Sequence, residues 1–258
     1  MNEEKIKMTD NTSYLVLQDG SVYQGKSFGA STSISGEVVF NTAMSGYQEA
    51  LTDPSYAGQI LIMTAPEIGN YGVNHEDVES AKPQVAAFVV KEVSRVVSNH
   101  RADNDLGDWL KSAHIPAMDG VDTRALVRKI RKEGALRGLI TTDTSLTDQK
   151  LVSLSRKGLQ MAGQDLASTA TCDAVSTWSE DLGEWNTHET EFAQKWKVVS
   201  IDCGAKHNIY RHLTSVGCEV IFVPNTATAE EIFAYNPDGV FISNGPGDPS
   251  AVEATIET

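Results

Sequence analysis

Beyond Lys197 the chain alternates apolar β-type runs with helical ones, and this alternation constrains the fold more than any other feature. Val198 to Asp202 reads as a strand. Ala205 to Val216 has helical spacing at Ile209, Leu213 and Val216, with Gly217 placed to end it. Glu219 to Val223 reads as a second strand, Thr228 to Ala234 as a short helix and Gly239 to Ser243 as a third strand. Strands separated by helices imply βαβ units, right-handed crossovers and a parallel sheet. Ligands of such sheets bind beyond the carboxyl ends of the strands. The 202–206 and 244–249 turns lie at such ends. The pattern stops at Thr258 as a further helix begins, so one sheet edge is expected to lie open.

The preceding residues follow a different pattern. Tyr14 to Leu17 and Ser21 to Gln24 flank Asp19-Gly20, a hairpin signal. Glu37 to Asn41, Gln59 to Thr64, Gln84 to Val93 and Leu139 to Thr142 read as strands, and Leu106 to Ala113 as a helix. A helix over Arg124 to Glu133 is bounded by Asp122 as cap and Gly134 as stop. Met1 to Thr12 reads as a loose leader, and Leu151 to Leu159 as helical. The polar stretch Thr169 to Thr190 is expected to wrap over a domain, because Trp178 and Trp185 need somewhere to bury. The expected division is a mixed, strand-rich α/β domain over 1–150, a connecting segment over 151–195 and a parallel-sheet domain over 196–258.

Composition excludes several functions. The net charge of -14 disfavours a general binder of nucleic acid or anionic membrane. No apolar run approaches the ~20 residues of a membrane span, and the polar N-terminus is not a secretory signal. Three scattered cysteines make neither a disulfide framework nor a zinc site, and they point to a reducing, cytoplasmic setting. His207 and His212 are spaced so that they do not share a helix face, and no metal site is expected.

Few residues invite chemistry directly. The glycines of Gly245 to Pro249 can present backbone N–H groups to an oxyanion or carboxylate, or can simply form a tight turn. Cys203, between a strand and a helix and near Lys206 and His207, has the placement of an activated thiol, but equally that of a small buried hydrophobe. The pattern of a nucleophile elbow is absent around it. Asp53-Pro54-Ser55-Tyr56 reads as a type I turn. The basic residues of the helix from Arg124 read as a solvated face with Leu126 and Ile130 turned inward.

Longer motifs carry a resemblance. Gly36 to Thr42, Ser45-Gly46-Tyr47-Gln48-Glu49, Leu51 to Tyr56, Gly69 to Gly72, Asp122-Thr123-Arg124, Gly204-Ala205-Lys206 with Asn208-Ile209, and Ser243 to Pro249 closely resemble the carbamoyl-phosphate synthase small-subunit family, in the family's order. The resemblance runs from about Tyr14 to the end of the chain. It implies an α/β fold: an N-terminal mixed β/α domain followed by the first part of a parallel-sheet class I glutamine amidotransferase domain. It also implies a glutamine-hydrolysing subunit whose ammonia passes through a tunnel to a large subunit. That partner makes carbamoyl phosphate from bicarbonate and ATP for arginine and pyrimidine synthesis.

Carried over residue by residue, the resemblance assigns Ser55, Gly245 and Gly247 to the glutamine pocket. The family's cysteine elbow, histidine and glutamate have no counterpart before Thr258, and Cys203 falls where the family commonly has an aromatic residue. The chain is therefore expected to be cut before the nucleophile, to carry no catalytic residue and to be inactive alone. No cofactor belongs to this chain, ATP and Mg being expected on the large subunit. The expected assembly is a heterodimer with that subunit, or a higher oligomer. Two other readings stand beside this one: a non-catalytic module docking on the large subunit, and a cysteine hydrolase using Cys203 and His207.

Overall fold

The computed structural model describes residues 11–187 and 195–258. Most of the expected leader, Met1 to Asp10, and the end of the expected connecting segment, 188–194, lie outside the described residues. The chain forms two compact units. The first comprises Met1–Thr52, Gly58–Val78 and Lys82–Gln160. The second comprises Asp53–Ala57, Glu79–Ala81 and Met161–Thr258.

The first unit is a closed barrel. Its strands are β1 (Thr12–Leu17), β2 (Val22–Ser27), β3 (Ser33–Asn41), β4 (Gln59–Met63), β5 (Ala87–Val89), β6 (Ala117–Asp119) and β7 (Leu136–Thr141). They follow the order β1-β2-β6-β5-β4-β3-β7, with β7 returning to β1. The Asp19-Gly20 hairpin sets Val16 opposite Val22, and Gly20 takes the left-handed conformation that the turn requires. Alternate residues point inward, so Leu15, Leu17, Val38, Ile60, Ile62, Val89, Met118 and Ile140 share one core.

Among the described residues of this unit lie helices α1 (Tyr47–Thr52), α2 (Leu106–Ser112), α3 (Thr123–Glu133) and α4 (Asp148–Ser155). α3 adds Leu126, Val127 and Ile130 to the barrel core, and its basic residues stay on the outer side. The Asp122 carboxylate accepts from Ala125 N–H at 2.9 Å, and Gly134, at φ 86°, ends the helix as expected. Val16 and Leu139 face the other side of the sheet and pack against Leu151 of α4.

Some details differ from the expectation. Thr12 is not leader: it is buried and pairs with Lys26. The run Gln84 to Val93 is strand only at Ala87–Val89, because the chain then leaves the barrel wall and Val93 bridges to Ile68. α4 begins before Leu151, since the Thr147 hydroxyl caps it, and it ends at Ser155, short of Gly158.

The second unit contains a sheet of β8 (Ser176–Trp178), β9 (Trp196–Asp202), β10 (Cys218–Pro224) and β11 (Gly239–Ile242), in the order β11-β9-β10-β8. β9 pairs in parallel with β10 and β11, and β8 lies antiparallel on β10. Helices α5 (Ala167–Ala170), α6 (His207–Ser215), α7 (Ala229–Phe233) and α8 (Glu253–Glu257) accompany it. Period-two alternation splits the apolar residues between two faces. Val199, Ile201, Ile221 and Val223 pack with Ile232 and Val252, while Val220 packs with Tyr210, Ile209 and Leu213 of α6.

β8 is an edge strand that the polar stretch around it conceals in the sequence. It places Trp178 half-buried against the His207 and Tyr210 rings, at centroid distances of 4.9 and 5.5 Å. Trp185 departs from expectation and stays 62% exposed. At the opposite edge, β11 pairs only with β9 among the described residues and leaves Val240 and Ile242 largely exposed.

Candidate functional site

β9 feeds β10 on one side and β11 on the other, so the strand order reverses between β9 and β11. Beyond the carboxyl ends of such a pair the following loops diverge and leave a crevice. The residues at that end come from three segments of the second unit: Asp202–Lys206 after β9, Ser243–Asp248 after β11, and Asp53–Ala57.

Asp202 shapes the first loop. One carboxylate oxygen accepts from the N–H groups of Gly204 and Ala205 at 3.0 and 2.9 Å, and the other from Cys172 N–H at 2.8 Å. Glu79 caps the helix that follows, its carboxylate accepting from Asn208 N–H at 2.9 Å and its carbonyl from His207 N–H at 3.1 Å.

Ser243 ties this loop to the next. Its hydroxyl accepts from Cys203 N–H at 2.8 Å and donates to the Asn244 carbonyl at 2.7 Å. In a trans peptide the C=O and the following N–H point in opposite directions. With the Asn244 carbonyl turned onto Ser243, the Gly245 N–H is turned away from it. Among the described residues neither Gly245 N–H nor Gly247 N–H has a protein acceptor, and the intervening Pro246 has no N–H. The turn thus leaves two backbone donors, two residues apart, available to an oxyanion or carboxylate.

Both glycines are needed for this geometry. A Cβ at Gly245 would lie 2.2 Å from the Cys203 carbonyl oxygen. Gly247 has φ 86°, and a Cβ there would lie 2.4 Å from the Gln164 carbonyl oxygen.

Ser55 lies in a 3-10 turn, Pro54–Tyr56, the form the expected tight turn takes. Asp53 caps it, accepting from Ser55 N–H at 2.9 Å. The same carboxylate binds the Lys206 ammonium at 2.7 Å. The Ser55 hydroxyl accepts from Asn244 Nδ2 at 2.9 Å, and Asn244 Oδ1 accepts from Lys206 N–H at 3.2 Å. Ser55 is therefore linked to the Gly245–Gly247 turn through Asn244. Burial works to lower the Lys206 ammonium, but its hydrogen bond and charge pairing with Asp53 outweigh it and raise its pKa.

Cys203 does not fit the role of nucleophile. It is 6% exposed, and burial pushes its thiol up despite a weak contact to Thr255. Lys206, expected as a neighbouring cation, is paired with Asp53, and His207 is held below the ordinary histidine value by burial and then by Arg211. Cys172 is likewise pushed up by burial, to about 11. No group of three histidine, cysteine or acidic side chains able to hold a metal occurs among the described residues.

Sequence reasoning passed over Asn244, Asp53 and Glu79. Asn244 and Asp53 sit inside the motifs already singled out, but nothing in a tetrapeptide says that Asp53 meets Lys206 or that Asn244 meets Ser55. Glu79 lies in a segment with no motif at all.

Comparison with known proteins agrees with this layout. The family described as "Carbamoyl-phosphate synthase small chain, CPSase domain" matches residues 15–140, and "Glutamine amidotransferase class-I" matches residues 199–258. A carbamoyl phosphate synthase small chain of Syntrophotalea carbinolica is 49% identical over 247 residues, covering 94% of this chain and 65% of that protein. Its counterpart from Nostoc sp. is 50% identical over 248 residues, covering 95% and 64%. The chloroplastic small chain of Oryza sativa subsp. japonica is 47% identical over 245 residues, covering 95% and 55%.

The chain thus spans at most 65% of the length of these relatives. A solved aminopeptidase from Aneurinibacillus sp. strain AM-1 aligns over 89% of this chain and 56% of its own, with 11% identity and a TM-score of 0.31, too low to indicate a shared fold. The two consecutive family matches, the identity of about half to the small chains and the mixed α/β architecture agree: the chain belongs to the carbamoyl-phosphate synthase small-chain family.

Proposed function

We propose that this chain provides part of the glutamine pocket of a carbamoyl-phosphate synthase small subunit. Ser55, Gly245 and Gly247 are its glutamine contacts. The observation that carries the reading is the pair of N–H groups at Gly245 and Gly247 that meet no acceptor among the described residues, linked through Asn244 to the Ser55 hydroxyl. Two backbone donors and a hydroxyl suit the carboxylate and carboxamide oxygens of glutamine.

In the whole assembly the small subunit hydrolyses glutamine and passes ammonia to a large subunit. That subunit, with ATP and Mg, converts bicarbonate to carbamoyl phosphate for arginine and pyrimidine synthesis. The hydrolytic step needs a thiolate nucleophile, a histidine to move protons and an oxyanion hole. This chain contributes the third; its buried Cys203 has the wrong environment for the first. The 258 residues alone therefore bind glutamine without turning it over. Among the described residues no helix is long and apolar enough to cross a membrane. A reducing compartment such as the cytoplasm fits the free thiols.

The test is a calorimetric titration of the chain with L-glutamine, paired with an assay for released ammonia. Binding without ammonia release, weakened by Ser55→Ala, is the expected result. Absence of binding overturns the pocket. Ammonia release abolished by Cys203→Ala overturns the assignment of the chemistry to residues other than Cys203.

A further inference from the structure

One hydrogen bond of a hydroxyl in this site has its direction set by the chain itself. The Lys206 backbone N–H can only donate, so the Asn244 side-chain atom it meets at 3.2 Å must be the carbonyl oxygen. A planar amide with its oxygen held there turns its nitrogen to the other side, where Nδ2 lies 2.9 Å from Ser55 Oγ. Nδ2 carries protons and accepts nothing, so Ser55 Oγ is the acceptor in that bond. Its own proton must point away from Asn244. Among the described residues the Ser55 O–H meets no acceptor. The backbone beneath it is pinned as well, by the bond from Ser55 N–H to Asp53 and by the Lys206–Asp53 ion pair.

We propose that Asn244 is a positioning residue that presents the Ser55 hydroxyl as a hydrogen-bond donor, so that the ligand atom seated against Ser55 is a carboxylate or amide carbonyl oxygen. The proposal rests on the reading of this site as a glutamine pocket. It adds the orientation of the ligand: an ammonium or an amide NH2 at that position could reach only the second lone pair of Ser55 Oγ and would leave the Ser55 proton without an acceptor, so an oxygen is preferred. A buried or half-buried donor left without its acceptor discriminates strongly between ligands of similar shape.

Two measurements test it on the protein as its native cell makes it. The first uses selective 15N labelling of asparagine and needs no ligand. Ser55→Ala should move one side-chain amide proton of Asn244 upfield, beyond any change at other asparagines. An Asn244 resonance that stays in place overturns the relay, whatever glutamine does.

The second is a titration with L-glutamine of Ser55→Ala, Asn244→Asp and the double variant. Asn244→Asp keeps the oxygen facing Lys206 but replaces the donor facing Ser55 with an acceptor, which draws the hydroxyl proton toward itself. Each single variant should bind about 10-fold more weakly, and the double variant no more weakly than either one. Asn244→Ala, which removes the donor without adding charge, is measured alongside, so that a folding failure of the aspartate variant leaves the binding test intact. Effects that multiply in the double variant, or an Asn244 variant that binds as well as wild type, overturn the proposal. A wild-type protein that binds no glutamine overturns the pocket instead, and the resonance test then decides the relay.

Discussion

Lys206 Nζ lies 2.7 Å from the carboxylate of Asp53, whose side chain is 5% exposed where that of Lys206 is 40% exposed. The ion pair joins a capped turn to the loop after β9, inside one compact unit. Asp53→Asn keeps an oxygen for the Ser55 N–H but removes the counter-charge. Because water reaches Lys206, the expected loss is about 1–2 kcal/mol rather than the larger figure for a fully buried pair. The pH dependence has a definite sign. Burial lowers the pKa of the Lys206 ammonium, the pairing with Asp53 raises it by more, and the net shift is upward. The contribution is therefore complete below the unfolded lysine value, about 10.4, and is lost as pH rises through the higher folded value. Denaturant titrations should show a wild-type advantage that is constant through neutral pH and shrinks only in strong alkali.

His207 should act at the other end of the scale. Burial first, and the nearby Arg211 next, hold its imidazole below the ordinary value. The native state then binds fewer protons than the unfolded chain. Its stability is undiminished above about pH 6.5 and erodes as pH falls from there toward the folded value. Thermal melts of His207→Gln should be less sensitive to pH across that interval than those of wild type.

Gly247→Ala should destabilise the second unit by about 2 kcal/mol or more, since it combines a left-handed φ with a Cβ 2.4 Å from the Gln164 carbonyl oxygen. Gly245→Ala meets the Cys203 backbone even more closely and must push the turn aside. Both should abolish glutamine binding in a calorimetric titration, and urea unfolding would register the stability loss.

The cap of α3 provides a test confined to the barrel. Asp122→Ala removes the acceptor for Ala125 N–H and should cost about 1 kcal/mol in urea unfolding. Ile60→Ala, at a fully buried core position, should cost about 2–5 kcal/mol.

All three thiols are raised by burial, Cys172 to about 11. Iodoacetamide at neutral pH should therefore label the native chain slowly and the urea-unfolded chain rapidly, as followed by intact mass. Rapid, stoichiometric labelling of native Cys203 would contradict this.

Local signals predicted their own elements well. The Asp19-Gly20 hairpin, the Asp122 and Gly134 helix limits and the strands around Val199, Val220 and Val240 depend on neighbouring residues, so the sequence displays them directly. The closure of the barrel was not legible, because it depends on pairings such as Leu17 with Gly138, far apart in the chain and unmarked by either residue. The edge strand Ser176–Trp178 was hidden for a similar reason: its serine and threonine face outward, and only its pairing with β10 makes it a strand. In the site, Ser55, Gly245 and Gly247 were named through motif resemblance. The partners that orient them emerged only once Asp53 and Asn244 met Lys206 in space.

The return of β7 to β1 also bears on how the first unit comes into being. Its first strand has one partner immediately downstream in β2, and the other only at residues 138–141. Between them run parallel pairings, β3 with β4 and β4 with β5, which need long connections before any contact rewards them. A chain emerging from the ribosome can form the first hairpin at once, yet it must wait for the last strand to seal the wall. Such high contact order places folding of this unit in the slow regime of milliseconds to seconds. Until β7 docks, the barrel-facing edges of β1 and β3 are the surfaces a chaperone would shield.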